Sequence, residues 1–356
     1  MEASVRQVYT AAILEEAASR FGTQPEALRP LGDFESFVYA FDADLAAAGP
    51  EPDAALGGAR ILRVTHSSHR GPRAIAGELD WIAFLAERGL GVARGLHSLD
   101  GLLVEPIAAE DGSTFTAACF VRVPGTPAGQ SPWGPLLFRS WGRLIGELHL
   151  ATADYPLGDA EHPERLRHRW DESPYLAQAD ALLPAGAVAA RARLAELRAE
   201  LAALPTARRH FGLIHEDLHA SNFNVDGDGR LWAYDFDDCS YHWLPDDLAV
   251  ALYYALWHPT AREDPTGFAQ GFTHHLLAGY QEVAAFDPAW LDWFPLFLRL
   301  RDLTLYIVCH AKWDFDALTE GQAALMRAIG GRIEAGEPAV RLDYAALRAG
   351  LEPGPG

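Results

Sequence analysis

The stretch from residue 211 to residue 238 constrains the fold of this chain more than any other part. It reads FGLIHEDLHASNFNVDGDGRLWAYDFDD. An apolar run at 211–214 leads into a polar loop at 215–222. Two short apolar runs then flank the sequence Asp-Gly-Asp-Gly at 226–229, which predicts a β-hairpin with a glycine-rich turn. The polar side chains are therefore expected on a loop held by strands, where catalytic groups are commonly placed.

The polar side chains of this stretch suit phosphoryl transfer. Asp217 is of the type that accepts a proton from an attacking hydroxyl group. Asn222 and Asp235 offer hard oxygen ligands for Mg²⁺, which carries nucleotide phosphates. The order and spacing of these residues favour one shared site over an ordinary polar loop.

The pattern H-x-D-x-x-x-x-N, followed by a strand that ends in D-F-D, resembles the catalytic and metal-binding loops of the aminoglycoside phosphotransferase and choline kinase-like family. That family shares the protein-kinase fold. The resemblance implies ATP and Mg²⁺ as cofactors, Asp217 as the catalytic base, His215 as a brace of the loop, and Asn222 and Asp235 as metal ligands. Asp237 replaces the glycine that protein kinases carry in D-F-G, which favours the small-molecule branch.

The same letters contain a second pattern, H-E-x-x-H at 215–219, which is the zinc-protease motif. That motif needs a helix, so that both histidines share one face. Here an apolar strand precedes it and a hairpin follows it. The extended form of the motif would need a histidine at position 225, which is Val225. These features argue against a zinc site, and a zinc hydrolase is kept as an alternative to the phosphotransferase.

The region before residue 100 predicts a small sheet with one helix. Strands are expected from Ser36 onward and at 60–64, and a helix at 72–88. The family resemblance implies that the turn from Gly32 to Ser36 closes over the ATP phosphates, and that Arg63 grips them where a lysine is usual. Glu78 lies on the apolar face of the helix, which suggests an ion pair with Arg63 of the kind that orders the phosphate-binding residue in kinase-like folds.

Two further strands are predicted at 102–106 and 117–123, and the sequence Pro-Gly-Thr-Pro at 124–127 then breaks the pattern. This break predicts the boundary between an N-terminal ATP-binding lobe, residues 1–123, and a C-terminal catalytic and acceptor-binding lobe, residues 124–356. The resemblance places the adenine contact on the backbone just before the boundary, at Phe120, Val121 and Val123.

The rest of the chain is mainly helical in pattern. Helices are expected at 9–21, 136–153 and 187–204, and another begins at Pro245. The resemblance implies that Asp247 supports the backbone of the catalytic loop. It also implies that the aromatic C-terminal helices build the acceptor pocket, and the sequence does not specify which of their side chains line it. The basic residues Arg299 and Arg301 of this region fit poorly with a purely polycationic acceptor.

Composition narrows the function classes. The net charge of −20 disfavours general nucleic-acid binding. No apolar run approaches the roughly 20 residues of a membrane helix, and no signal peptide is seen at the N-terminus. Three widely spaced cysteines indicate reduced thiols, so a cytoplasmic location without membrane or nucleic-acid partners is expected.

These observations predict a two-lobed α+β, protein-kinase-like fold, with a small antiparallel-sheet N-lobe and a larger, mainly helical C-lobe. ATP is expected between the lobes. The predicted function is ATP-dependent transfer of the γ-phosphoryl group to a hydroxyl of a small molecule of the aminoglycoside, choline or homoserine type. A serine/threonine protein kinase of the same fold and a non-catalytic nucleotide-binding protein remain as further alternatives. The sequence specifies neither the acceptor nor the oligomeric state.

Overall fold

The computed structural model describes residues 2–43, 58–156, 158, 165 and 167–351. The chain forms two compact units. The first unit comprises Met1–Gly125, Tyr155–Arg167 and Trp232–Asp237, and the second comprises Thr126–Asp154, His168–Leu231 and Asp238–Gly356. The lobe boundary after residue 123 stays a prediction. The alanine-, proline- and glycine-rich sequence at 42–58, which predicts an exposed hairpin loop, lies mostly outside the described residues.

The first unit is built on an antiparallel sheet. Its strands are β1 (Arg29–Gly32), β2 (Ser36–Asp42), β3 (Ala59–His66), β4 (Gly95–Leu96), β5 (Glu105–Ala108) and β6 (Thr114–Val121). Its helices are α1 (Ala3–Val8), α2 (Ala11–Arg20) and α3 (Pro72–Glu87), with a 3₁₀ turn at Pro25–Ala27. The strand order is β1-β2-β3-β6-β4, and β5 also pairs with β6. Strand β3 is therefore central, with Arg63 opposite Val38 on one side and Ala118 on the other.

The sheet packs its apolar face on the N-terminal helices. Phe37, Leu62 and Phe115 are buried in this core with residues of α2. Before α2, the Tyr9 ring stacks on Phe37 with ring centroids 3.7 Å apart. The helix predicted at 9–21 is shorter than expected, because the Thr10 side chain accepts a hydrogen bond from Ile13 N at 3.4 Å and caps α2.

The strand predicted at 102–106 begins later than expected, at Glu105. The reason is a turn that uses the preceding residues. Ser98 N donates to Leu102 O at 2.8 Å, and Gly101 takes the left-handed conformation at φ 79°. Leu102 is half exposed and is not part of a strand. Helix α3 begins and ends close to its predicted bounds and buries the predicted face, including Glu78 and Trp81.

The second unit is mainly helical. Its helices are α4 (Pro135–Thr152), α5 (Pro174–Ala177), α6 (Ala179–Leu182), α7 (Val188–Ala202), α8 (Pro245–Ala255), α9 (Pro265–Gln281), α10 (Phe294–Lys312), α11 (Glu320–Ala335) and α12 (Tyr344–Ala349). Its strands are β7 (Thr126–Pro127), β8 (Phe211–Ile214), β9 (Phe223–Val225), β10 (Leu231–Ala233) and β11 (Ser240–Trp243), with most of β10 belonging to the first unit. Short 3₁₀ turns occur at Ala128–Gln130, Trp170–Glu172, Pro259–Ala261 and Pro288–Asp292.

Helices α4 and α9 pack at unusually close range because both carry glycine at the contact. A Cβ atom at Gly142 would lie 1.8 Å from Leu276 O, and one at Gly279 would lie 1.8 Å from Arg139 O. No side chain larger than hydrogen fits there without moving a backbone. This contact holds α4 against α9, and α4 carries His149, whose Nε2 lies 3.1 Å from the Asp247 carboxylate.

The stretch from residue 211 to residue 238 folds as predicted. Strand β8 pairs antiparallel with β11, so that Ile214 lies opposite Ser240. Strands β9 and β10 are the arms of a hairpin, and its turn is closed by Asp226 N donating to Arg230 O at 3.0 Å. The residues at 215–222 form a loop between β8 and β9. In the part of the chain that the structure describes, no helix combines the length and the apolar character that crossing a membrane requires.

Candidate active site

The loop at 215–222 is held by a buried carboxylate. Asp247, near the start of α8, accepts hydrogen bonds from His215 N at 3.2 Å and from Glu216 N at 2.7 Å. His149 Nε2 lies 3.1 Å from the same carboxylate. The contact predicted between Asp247 and the loop backbone is therefore confirmed. These bonds offset part of the cost of the left-handed conformation of Glu216, at φ 66°.

The pKa of Glu216 is shifted, which the sequence did not predict. Its side chain accepts a hydrogen bond from Ser240 Oγ on β11. Burial, together with the negative charge of Asp238, raises the pKa of Glu216 to about 8. Asp246 is buried nearby, and burial raises the pKa of its carboxyl group well above the usual range. Both groups therefore tend to be protonated near neutral pH, which limits the negative charge around the loop.

Asp217 is the most heavily contacted carboxylate of the loop. Arg301 Nη2, from α10, donates to its Oδ1, and Asn222 Nδ2 donates to its Oδ2 at 3.2 Å. His219 Nε2 lies 3.3 Å from the same Oδ2. Burial alone would raise the pKa of Asp217, but the charge of Arg301 and the hydrogen bond from His219 outweigh it and lower that pKa to about 2. Asp217 is therefore ionised at any physiological pH, as an acceptor of a proton in the transition state must be.

Two predicted neighbours of Asp217 lie in the same loop. His215 is fully buried, and its Nδ1 accepts a hydrogen bond from Asp217 N at 3.3 Å, which fits a bracing role. Asn222 Nδ2 donates both to Asp217 Oδ2 and to Asp217 O, the latter at 2.9 Å. Because the amide nitrogen makes both bonds, the side-chain oxygen of Asn222 is the atom that can ligate a cation.

Arg301 and its aromatic surroundings are functional candidates that sequence reasoning did not assign. Arg301 Nη2 also donates to the Tyr254 hydroxyl at 2.6 Å, and its guanidinium lies 4.9 Å from the centroid of that ring. The Tyr254 ring in turn contacts His219 and the half-exposed Trp257. The available signal was an arginine within the apolar run of α10, but its partner lies 84 residues earlier in the chain.

In the first unit, Arg63 and Glu78 form the predicted ion pair. Nη1 and Nη2 of Arg63 donate to the two oxygens of Glu78 at 2.9 and 2.5 Å. Only 6% of Arg63 and 1% of Glu78 is exposed. Burial would lower the pKa of Arg63, but Glu78 and Asp237 raise it, so the guanidinium stays charged. The pair is parallel and bidentate, a geometry that lysine cannot reproduce.

Asp237 is the centre of a second charged cluster in the first unit. His69 Nε2 lies 2.6 Å from its Oδ2, Arg70 Nε lies 3.5 Å from the same oxygen, and Arg63 Nη1 lies 3.9 Å from Oδ1. Glu35 lies 3.7 Å from His69. Burial would lower the pKa of His69, but Asp237 raises it. A protonated His69 between two carboxylates therefore accounts for the cluster better than a metal ion beside two arginines.

The remaining candidates of the first unit are Asp235, Gly32 and Ser36. Asp235 is exposed and left-handed, at φ 63°. Gly32 ends β1 at an exposed position, whereas the Ser36 hydroxyl is buried, 2.8 Å from Thr65 Oγ1. A phosphate contact at Ser36 would therefore have to come from its backbone.

Part of the backbone of the predicted base-binding segment is already paired within the sheet. Phe120 lies between β3 and β4, opposite Ile61 and Gly95. Val121 N donates to Arg94 O at 2.8 Å. These contacts use the backbone on which an adenine ring would have to rely. The nucleotide-binding role of Phe120, Val121 and Val123 stays a prediction.

The geometry of the loop contradicts the zinc alternative. The motif His215–His219 does not lie on a helix, because β8 ends at Ile214 and the following residues form an irregular loop. His215 is fully buried and faces the Asp217 amide, whereas His219 Nε2 faces the Asp217 carboxylate. The two histidines therefore serve different contacts and do not share a face.

Comparisons with known proteins agree with this geometry. A model of the phosphotransferase enzyme family, also named APH, matches residues 53–286. An amicoumacin kinase from Bacillus subtilis (strain 168) is 34% identical over 336 residues, which cover 94% of this chain and 95% of that protein. This chain belongs to the phosphotransferase enzyme family. The predicted resemblance is confirmed, and so is the predicted activity at the level of a phosphotransferase that acts on a hydroxyl group.

Solved structures of this phosphotransferase family's fold match nearly the whole chain. An amicoumacin kinase in complex with AMP-PNP, Ca²⁺ and Ami has a TM-score of 0.88 at 32% identity, and the match covers 98% of this chain and 100% of that one. A microcompartment-associated aminopropanol kinase matches in fold, with a TM-score of 0.64 at 22% identity over 92% of this chain and 96% of that one. The predicted α+β, protein-kinase-like fold is confirmed.

Proposed function

We propose that this phosphotransferase uses ATP to phosphorylate a hydroxyl group of a small molecule, with Asp217 as the group that receives the hydroxyl proton. The observation that carries the proposal is the environment of Asp217. It is ionised, it is fixed by bonds to both of its oxygens, and it lies on a loop braced by Asp247. Positioning and electrostatic stabilisation supply most of the catalysis in this reaction class.

A nucleotide with a divalent cation is the phosphoryl donor in this proposal. Asn222 offers an amide oxygen and Asp235 an exposed carboxylate, and hard oxygen ligands suit Mg²⁺. When bound, the cation neutralises charge on the phosphates. Arg63 remains the candidate for a phosphate contact, and Glu78 orients its guanidinium by two hydrogen bonds. The solved amicoumacin kinase that resembles this chain binds AMP-PNP and Ca²⁺, which supports the donor and the class of metal.

Amicoumacin is the acceptor to test first. The supporting relative is an amicoumacin kinase that matches almost the full length of this chain at 34% identity. Arg301 binds Asp217, the Tyr254 hydroxyl accepts a hydrogen bond from Arg301, and the Trp257 ring packs on Tyr254. A pocket for a polycation would be lined by acidic side chains instead. Aminoglycosides, choline and homoserine complete the acceptor panel.

The decisive experiment compares the wild-type protein with Asp217→Asn in a coupled assay of ADP formation with Mg-ATP and amicoumacin, and follows the phosphorylated product by mass spectrometry. We expect kcat to fall by roughly 10²- to 10⁴-fold, because that is what a positioned proton acceptor contributes. The KM for ATP should change little. Asp228→Asn, in the exposed turn of the same hairpin, is the matched control and should keep wild-type activity. Full activity of Asp217→Asn would reject the assigned role.

A further inference from the structure

The contacts of Asp217 indicate where an acceptor hydroxyl can bind. The His219 Nδ1 atom accepts a hydrogen bond from Ser221 N at 3.1 Å, so Nε2 is the ring nitrogen that donates to Asp217 Oδ2. Asn222 Nδ2 donates to the same oxygen. Each carboxylate oxygen has two acceptor sites, so Oδ2 is fully used. Only Oδ1 retains an acceptor site, and Oδ1 is the oxygen that Arg301 binds.

Arg301 is fixed in this place. Only 12% of its side chain is exposed. Its Nη2 bridges Asp217 Oδ1 and the Tyr254 hydroxyl, and the Tyr254 ring lies beneath its guanidinium. A hydroxyl group that donates to Oδ1 therefore binds directly beside a positive charge that cannot move away without breaking these contacts.

We propose that Arg301 positions Asp217 and makes the site select against acceptors that carry an ammonium group next to the reacting hydroxyl. The inference rests on the proposed function and adds a substrate class to it: a hydroxyl with a neutral neighbour is preferred to an amino alcohol. Selectivity here comes from a repulsive contact, which is a general way to exclude a competing ligand.

The charge balance around Asp217 supports this selectivity. Asp217 and Asp238 are the carboxylates whose negative charges act on Arg301, and Glu216 tends to be protonated. With Arg301 these side chains sum to about one negative charge, and without it to about two. Like charges at hydrogen-bond range in a partly buried site weaken binding by on the order of tenfold or more. Removing the guanidinium should therefore favour cationic acceptors.

The test uses two probes with the same hydroxyl, 2-aminoethanol and its N-acetyl derivative, as competitive inhibitors of amicoumacin phosphorylation. In the wild-type protein we expect the neutral amide to inhibit on the order of tenfold better than the amine. In Arg301→Met this preference should vanish or reverse. The kcat for amicoumacin should fall on the order of tenfold to a hundredfold with the KM for ATP unchanged, because Asp217 is no longer held.

Further variants separate charge from structure. Arg301→Lys keeps the charge and should keep the preference for the amide while losing part of kcat. Arg301→Gln removes the charge with a polar side chain and replaces Arg301→Met if that variant does not fold, as judged by circular dichroism. Arg299→Met, two residues earlier on α10 and paired with Glu200, should behave as wild type.

The outcomes distinguish this inference from the function on which it rests. An inhibition ratio that is equal in the wild-type protein and in a folded variant without charge at position 301 overturns the inference alone. A wild-type protein that phosphorylates no hydroxyl compound of the panel rejects the proposed function and the inference with it. A ratio that shifts toward the amine in a folded charge-removing variant, while Arg301→Lys keeps the wild-type ratio, supports the inference.

Discussion

The buried pair of Arg63 and Glu78 makes a prediction whose size follows from its geometry. Arg63→Met leaves the Glu78 carboxylate, which is 1% exposed, without the two donors that now hold it at 2.9 and 2.5 Å. Breaking a buried ion pair by removing one partner costs about 3–5 kcal/mol. We expect the free energy of unfolding of Arg63→Met to fall by this amount.

The double variant Arg63→Met/Glu78→Leu tests whether the loss of stability in Arg63→Met comes from leaving the buried Glu78 carboxylate without a partner. Replacing both partners of a buried pair by apolar residues is often nearly neutral, so the double variant should recover all but about 1–2 kcal/mol. Asp237 also loses a cation at 3.9 Å in both variants, but it keeps His69 and Arg70. Adding Glu78→Leu to Arg63→Met should therefore restore about 1–4 kcal/mol of stability.

Urea denaturation of the wild-type protein, both single variants and the double variant measures this cycle, and hydrogen exchange of the amides in β3 and α3 locates the loss. Glu87→Gln, at the exposed end of α3, is the control and should change stability by less than about 0.5 kcal/mol. A loss below about 1 kcal/mol in Arg63→Met, or a double variant as unstable as the single one, would refute the reasoning.

The same variants test the phosphate contact that is proposed for Arg63. Charged hydrogen bonds contribute about 1.5–3 kcal/mol, so the KM for ATP should rise roughly tenfold to a hundredfold in the stable double variant. Recovered stability together with a wild-type KM for ATP would leave Arg63 with a structural role only.

Three further predictions concern other parts of the molecule. The pKa of Glu216 in the folded protein, about 8, lies above its ordinary value, so the folded state binds a proton that the unfolded state releases. The free energy of unfolding should therefore fall by up to about 1.4 kcal/mol per pH unit between about pH 5 and about pH 8. Glu216→Gln should remove this slope in urea denaturation at several pH values, and an equal pH dependence of the wild-type protein and the variant would contradict the prediction. Gly279→Ala should lower the free energy of unfolding by about 1–3 kcal/mol, because the added Cβ would lie 1.8 Å from Arg139 O. The control is Gly271→Ala on the same helix, where no described atom lies within 4 Å of the added Cβ. It should be neutral or slightly stabilising in the same denaturation assay. Chelation by EDTA should abolish turnover, and added Mg²⁺ should restore it. Asp235→Asn should raise the Mg²⁺ concentration needed for half-maximal rate. Activity that persists in EDTA would reject the proposed requirement for a divalent cation.

The parts of the site that were predictable from the sequence are those in which partners are close along the chain. The loop at 215–222 and its hairpin follow from local apolar runs and a glycine-rich turn, and the spacing of Asp217 and Asn222 carries their chemistry. The pair of Arg63 and Glu78 was accessible because one residue lies on a strand and the other on the buried face of the next helix.

The contacts that were not predictable join side chains distant in sequence. Arg301 reaches Asp217 from a helix 84 residues further along the chain, and His69 reaches Asp237 across 168 residues. Neither pair has a local pattern, because a single charged residue in an apolar or loop segment has many possible partners. The late start of β5 has a local cause, the turn at Gly101, whose left-handed conformation overrides the strand propensity of Leu102 and its neighbours.

The local charges around Asp217 matter more for the acceptor than the net charge of −20 does. That net charge is screened over about 10 Å at ordinary salt, whereas Arg301 lies in hydrogen-bond contact with Asp217, the proposed proton acceptor. Glu216 and Asp246 carry raised pKa values, so two of the nearby acids contribute little negative charge near neutral pH. An acidic protein of this family can therefore have an acceptor site that does not favour cations, because the arginine at position 301 and the protonated carboxyl groups set its field.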